Sequence, residues 1–221
     1  MKKKVRVVTA DFGNHINNFH YNLPNQNSTL YDIDYECLTD KNTPSRHNSL
    51  HPRTKGKIPK MLDWVEHDAD YYIWFDSKFK VVNDNFVEEI IQDLGDFDLG
   101  LIKHPQRDSI KSELEFMEKE MINKNDYLIS RYDGERMKEQ VNFYLSDSNF
   151  VDNKLFGLGF FIYSKKLVEN KDYNIFTDWF LHNCYWSIQD QLSLPYLLNK
   201  HKINYKIFDL KLLDNKHLKW S

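Results

Sequence analysis

The sequence predicts an α/β fold, a single domain over residues 1–221 with a mostly parallel sheet between helices. Three observations carry that reading. Tyr71-Tyr72-Ile73-Trp74-Phe75 is a continuous string of bulky β-formers, the pattern of a strand buried on both faces. It ends on Asp76, and Phe79 to Val82 then resume an extended apolar pattern. Further apolar runs alternate with segments of helical period, the order in which helices wrap a parallel sheet.

Such strands end at the carboxyl edge of the sheet, where open α/β folds place their ligands. Asp76 is therefore a candidate for holding a divalent cation against a phosphate, since hard cations take oxygen ligands. A carboxylate that only opens a turn fits the same position.

The composition narrows the class. A chain of 221 residues that is 41% hydrophobic and 29% charged is globular and long enough for one sizeable core. A formal net charge of -3 gives no electrostatic reason to expect a nucleic-acid partner. Cys37 and Cys184 lie far apart without a CxxC pattern, so neither zinc nor a disulfide framework is indicated. Lys2-Lys3-Lys4 is basic, but the apolar run behind it stops at Ala10, too soon for a signal peptide. No window approaches the roughly 18 apolar residues of a membrane helix. The expectation is a cytoplasmic protein with no transmembrane segment.

Along the chain, Lys4–Ala10 reads as the first strand, with Asp11-Phe12-Gly13-Asn14-His15 as the loop at its carboxyl end. A nucleotide base or ribose often sits there in α/β folds, and a plain glycine turn is the alternative. Asn17 to Gln26 is polar and aromatic and receives no assignment. Ile33–Leu38 is a second strand. Lys41–Thr54 reads as a loop, and its cations Arg46, His47, His51, Arg53, Lys55 and Lys57 either stay solvated or meet a diphosphate. Lys57–His67 is a helix with Ile58, Met61, Leu62 and Val65 along one face. After the central strand, Asn85 and Glu88 have the spacing of a capping box for a short helix, which Gly95 ends.

Leu99–Ile102 is another buried strand, delivering Lys103-His104-Pro105-Gln106-Arg107 at its end. The helix Asp108–Asn123 carries Glu113 on the flank of its apolar face, where a carboxylate needs a partner such as His104 or Arg107. A helix follows over Asp126–Leu145, interrupted near Gly134. Lys154–Tyr163 returns to strand character and holds two of only seven glycines, Gly157 and Gly159, which suggests close approach to the backbone, with strand packing as the equal alternative. Tyr173–Tyr185 is an aromatic helix, followed by Ser187 to Gln191 and an apolar helix to about Asn199, with Pro195 at its first turn or at a kink. Tyr205–Phe208 is the last strand, before a polar tail. Asp190 is either a helix cap, in which case Asp190→Asn leaves folding nearly unchanged, or a functional carboxylate.

The order and spacing of five pieces resemble the TOD/MUCI family of glycosyltransferase-like domains. They are Asp34–Asp40, Arg53 through Lys57-Ile58-Pro59, Tyr72–Asp76, Lys103–Arg107 leading to Glu113, and Gln189–Ser193. The resemblance implies a GT-A-like (Rossmann-like) domain with a mixed, mostly parallel sheet. It also implies a hexosyltransferase that takes a UDP- or GDP-sugar and passes the sugar to a glycan or other hydroxyl acceptor. By the same resemblance Thr9, Asp11, Arg53, Lys57, Asp76, Lys78 and His104 meet the donor and its diphosphate. Gly157, Gly159, Trp186 and Gln189 line the sugar or acceptor, and Asp190 is the base or a ligand for sugar hydroxyls. A divalent cation, Mn²⁺ or Mg²⁺, would be held by Asp76 and a tail histidine, His217. The chain departs from the Asp-x-Asp of GT-A enzymes: Asp76-Ser77-Lys78 lacks the second acid, and Lys78 can instead bring positive charge to a phosphate directly. Two other classes remain, a non-catalytic sugar- or nucleotide-binding module of the same fold and a metal-dependent nuclease. The nuclease would want more acidic ligands and a basic surface.

Overall fold

The computed structural model describes residues 2–13 and 23–220. Its main sheet contains β1 (Lys3–Asp11), β2 (Tyr31–Thr39), β3 (Tyr71–Phe75), β5 (Leu99–Lys103), β6 (Phe156–Ser164) and β7 (Tyr205–Phe208), with β4 (Phe79–Val81) and β8 (Leu218–Trp220) forming a separate pair. The order across the main sheet is β2-β1-β3-β6-β5-β7. β1 is parallel to β2 and β3, β5 is parallel to β7, and β6 alone runs antiparallel to its neighbours β3 and β5. The sheet is thus mixed and mostly parallel, as expected. Its carboxyl edge gathers the ends of β1, β3 and β5 and the start of β6.

Each strand feeds two cores, because successive side chains point to opposite faces. Tyr72, Trp74, Leu101 and Phe161 face one core, against α1 (Pro52–Leu62), α3 (Ile110–Ile122), α5 (Met137–Leu145), α6 (Ile175–Tyr185) and α7 (Asp190–Lys200). Ile73, Phe75, Ile102 and Phe160 face the other, against α2 (Phe86–Leu94) and the β4–β8 pair. The continuous apolar run of β3 follows from this two-sided burial. On α2, Phe86, Val87, Ile90, Ile91 and Leu94 are all buried, each contributing about 1.5–3 kcal/mol relative to exposure.

Several boundaries differ from the sequence reading, for local reasons. α1 starts at Pro52, within the stretch read as a loop. Proline suits the first helical position because the N–H it lacks has no intrahelical partner there, and His51 Nδ1 accepts the Arg53 N–H at 3.3 Å. Arg53 is therefore helical. The capping box at Asn85 does not form: its side chain makes no cap bond, and Asn83 Oδ1 accepts the Asn85 N–H at 2.8 Å instead. Gly95 does end α2, with φ of 62°. Gly134, with φ of 79°, separates α4 (Asp126–Tyr132) from α5. Pro195 lies inside α7. The tail is not a loose polar end, since Leu218, at 1% exposure, anchors β8 on the second core. Asn14, His15 and most of the Asn17–Gln26 stretch lie outside the described residues.

Glu113 is buried and takes the partner expected of it. Arg107 Nε donates to its Oε2, and Gln189 Nε2 donates to its Oε1 at 3.1 Å. The loop after β5 is thereby tied to the start of α7.

Candidate active site

Above the carboxyl edge lies a cleft of about 380 Å³. Its floor is a cluster of four charged side chains. Lys57 and Lys60 are three residues apart on α1 and share a face, and both reach Asp190, the first residue of α7, at 2.6 and 2.8 Å. Lys60 Nζ also donates to the Leu158 carbonyl oxygen of β6 at 2.8 Å and stands 3.6 Å from Asp76 Oδ1. Asp76 leaves β3 on a backbone bond to the Gly159 carbonyl, 2.8 Å, and its Oδ1 accepts the Trp74 indole N–H at 2.9 Å. The Asp76 side chain is 42% exposed and that of Asp190 9%, so Asp76 is the carboxylate open to a ligand.

The electrostatics of this floor follow from burial and pairing. Burial alone would raise the Asp190 carboxyl, but the Lys57 and Lys60 ammonium groups hold it well below the usual carboxylate range. Burial opposes the charge on Lys60, and Asp190 with Asp76 more than offsets it, so Lys60 is held above its ordinary value. Lys57 is pushed down, by burial first, with Asp190 offsetting only part. Asp190 is therefore a fixed anion and a weak base, whereas a general base works best with a pKa near the operating pH. Its geometry suits an anchor for α1 and a hydrogen-bond acceptor.

Around this floor stand Arg53, Lys78 and Arg131. The Lys78 ammonium lies 5.2 Å from the Trp220 ring and 5.8 Å from the Tyr127 ring, and the Arg131 guanidinium lies 4.9 Å from Tyr127. Burial, then the neighbouring Arg131, lowers the Arg53 pKa. Five cationic side chains against two carboxylates leave the cleft with three positive charges in excess, in a chain whose net charge is -3.

Of the residues singled out in the sequence, Arg53, Lys57, Asp76, Lys78, Gly159, Gln189 and Asp190 line this cleft. Gly159 needs its missing side chain: a Cβ there would stand 2.6 Å from the Phe79 ring and 3.5 Å from Asp76 Oδ2. Gln189 is held by Glu113 and by the Tyr132 hydroxyl, which donates to its Oε1 at 3.2 Å.

The others lie elsewhere. Thr9 is fully buried within β1, its hydroxyl oxygen without a hydrogen-bond partner, and neither it nor Asp11 lines the cleft. Gly157 is covered by Leu212, 2.4 Å from the place of its Cβ, so its role is packing. Trp186 packs on Phe143 and under Arg136, at 5.3 and 4.7 Å, away from the cleft. His104 is the larger correction. Its Nδ1 accepts the Arg107 N–H at 3.0 Å, and burial together with the Arg107 charge pushes its pKa down to about 4. It is neutral at pH 7 and brings no positive charge to a phosphate. His217 is buried at 2% exposure, with Nδ1 3.0 Å from the Asn83 amide nitrogen and its ring against Phe86. It faces the second core and not Asp76.

With His217 turned away, the described residues of the cleft do not assemble a donor set for a divalent ion. Among the described residues no three His, Cys, Asp or Glu side chains gather as metal ligands. The one open carboxylate, Asp76, already has an ammonium group beside it. Unit charges 4 Å apart interact by about 4 kcal/mol at an effective dielectric of 20, and a dication doubles that to about 8. An ion coordinated by Asp76 would also stand close to the Lys60 ammonium, whose repulsion offsets part of the carboxylate's attraction.

The cleft also contains residues that the sequence reading passed over. Lys60 looked like one more lysine on a helix, although its i,i+3 spacing from Lys57 was the available signal. Trp74 was read only as a strand residue. Tyr127, Arg131 and Tyr132 come from α4, and Trp220 comes from the tail.

These features define a class, an α/β domain with a cationic cleft at the carboxyl edge of a mixed sheet. The chain belongs to the TOD1/MUCI70 glycosyltransferase-like domain family, which it matches over residues 43–219. Among solved structures, the apo form of mouse xyloside xylosyltransferase 1 is similar at 10% identity and a TM-score of 0.41. That likeness covers 81% of this chain and 63% of the other. No curated protein matches. Among the described residues no helix is long and apolar enough to cross a membrane.

Proposed function

We propose that the cleft binds a nucleotide-sugar, a UDP- or GDP-hexose, and transfers the sugar to a hydroxyl group of a glycan or other acceptor. The excess of cations in the cleft of an acidic chain is the observation that carries this reading. In the reaction the bond from the sugar's anomeric carbon to the diphosphate oxygen breaks, and the diphosphate keeps the electron pair. A bond from that carbon to the acceptor oxygen forms, and the acceptor's proton passes to the diphosphate or to solvent. Charge builds on the leaving diphosphate, and fixed positive groups lower the barrier most where charge develops. Arg53, Lys78 and Arg131 are the groups for that task, with Asp76 and Gln189 facing sugar hydroxyls. Membership of a glycosyltransferase-like family supports the reading. The free cysteines, Cys184 exposed and Cys37 half-buried, support a reducing, cytoplasmic setting.

A thermal-shift series with UDP, GDP and their sugars tests it. A ligand at 100 times its Kd adds about 2.7 kcal/mol, or roughly 5–10 °C for a chain of this length. No shift with any of them at millimolar concentration defeats the reading. One observation favours a second reading, a sugar- or nucleotide-binding module without turnover: the better-buried of the two cleft carboxylates, Asp190, is neutralised by two lysines and is not poised as a base. Binding without release of nucleoside diphosphate in the presence of acceptors would select it.

A further inference from the structure

We propose that the cleft holds its diphosphate ligand without a divalent cation, with the Lys60 ammonium as the fixed positive charge that a metal would otherwise supply. The inference rests on the donor reading above and concerns how the same site meets the anion.

The argument begins with placement. Lys60 is 7% exposed in its side chain and stands between the two carboxylates of the cleft, 2.8 Å from Asp190 and 3.6 Å from Asp76. A cation seated between carboxylates beyond the end of a central strand is the arrangement a bound divalent ion would create. Here it is covalently part of α1. The ammonium is held from three elements: α1 carries it, the Leu158 carbonyl of β6 accepts from it at 2.8 Å, and Asp190 of α7 pairs with it. A lysine head has three protons and no acceptor. The carbonyl and Asp190 take two of them, while Asp76 at 3.6 Å is beyond hydrogen-bond distance.

A metal ion on Asp76 would stand beside this ammonium group and be repelled by it. Lys60 thus acts against a dication and for an anion at the same position. Lys57, paired with Asp190 at 2.6 Å, keeps Asp190 from cancelling the Lys60 charge alone. The sequence is consistent with this: where a second metal-binding acid would stand after Asp76, the chain has Ser77-Lys78, and Lys78 lines the cleft. Positive charge has taken the place of a ligand for positive charge.

The test is calorimetric titration of the full chain with UDP and with GDP, once in excess EDTA and once in Mn²⁺ or Mg²⁺. The expected result is the same affinity in both buffers, within about threefold, and an affinity at least about tenfold weaker in Lys60→Met, since one charge-assisted contact is lost. Because Lys60→Met leaves Asp190 with one partner fewer, Lys60→Met/Asp190→Asn, which keeps the buried charges balanced, is titrated beside it and is expected to show the same loss. Binding that appears only with the metal, or a Lys60→Met protein that binds as tightly as the parent in EDTA, overturns the inference and leaves the donor reading standing. Absence of binding in both buffers overturns both.

Discussion

Replacing Asp190 with Asn removes a single charge from a place where the structure makes that charge matter. The sequence reading expects little effect on folding, because asparagine caps a helix as well as aspartate does. The structure reverses that expectation. Asp190 makes no cap bond through its side chain; the residue preceding it, Gln189, is the N-cap, also without a side-chain bond. The Asp190 carboxylate instead neutralises Lys57 and Lys60 at 2.6 and 2.8 Å. Breaking a buried pair by deleting one partner costs about 3–5 kcal/mol. Because Lys60 keeps the Leu158 carbonyl as an acceptor and Asp76 beside it, the lower end, about 3 kcal/mol, is expected. That corresponds to a fall in melting temperature of roughly 6–12 °C for a chain of this length. Urea unfolding at pH 7 measures it, and Lys57→Met/Asp190→Asn should recover part of the loss through the coupling of neighbouring sites. The pH dependence has a definite sign. The folded pKa of Asp190 lies below its unfolded value, so its contribution is complete above about pH 4 and is lost as pH falls toward the folded value. Asp190→Asn should therefore flatten the acid limb of the stability curve. A loss below about 1 kcal/mol, or an unchanged acid limb, would refute the account of this cluster.

Two further outcomes are expected. Glu113→Gln leaves Arg107 unpaired beside a buried amide and should lower stability by about 2 kcal/mol while changing UDP or GDP affinity less than threefold; equal urea midpoints for the two proteins would contradict it. Deleting the residues after Asp214 removes the buried Leu218 and His217 and the strand paired with Phe79–Val81. The truncated chain should lose at least about 3 kcal/mol together with the Trp220 wall of the cleft, and full-length stability in the truncated chain would show that the tail does not brace the core.

Much of the fold was legible because burial on both faces writes itself as unbroken apolar runs. β1, β3, β5 and β6 were readable for that reason, and so was Asp76, which interrupts the longest run. The partner of Glu113 was legible too, since a carboxylate on the flank of an apolar face must be satisfied. Three things were not. The extended pattern from Phe79 was readable, but its partner β8 is a three-residue strand in a polar tail, too short for periodicity to register, so the β4–β8 pairing was not. Lys60 carries no mark of burial in the sequence; its burial depends on Asp190, distant in the chain. His217 was placed from its position near the chain's end, and linear position does not say which face of a sheet a side chain meets. Pro52, by contrast, was a readable helix start that the surrounding polar residues obscured.

The pairing of β4 with β8 has a kinetic consequence. More than half of the chain lies between these strands, and an isolated pair of this length is not stable by itself. It persists because Phe79, Val81 and Leu218 are seated on the second core. Short, solvent-facing pairs of this kind are among the first parts of a native protein to open, at a cost well below global unfolding. Lys78, just before the pair, and Trp220, within it, also border the cleft. An occupant of the cleft resting against both would act as a clasp, and the susceptibility of the carboxyl-terminal segment to proteases would then gauge whether the cleft is full.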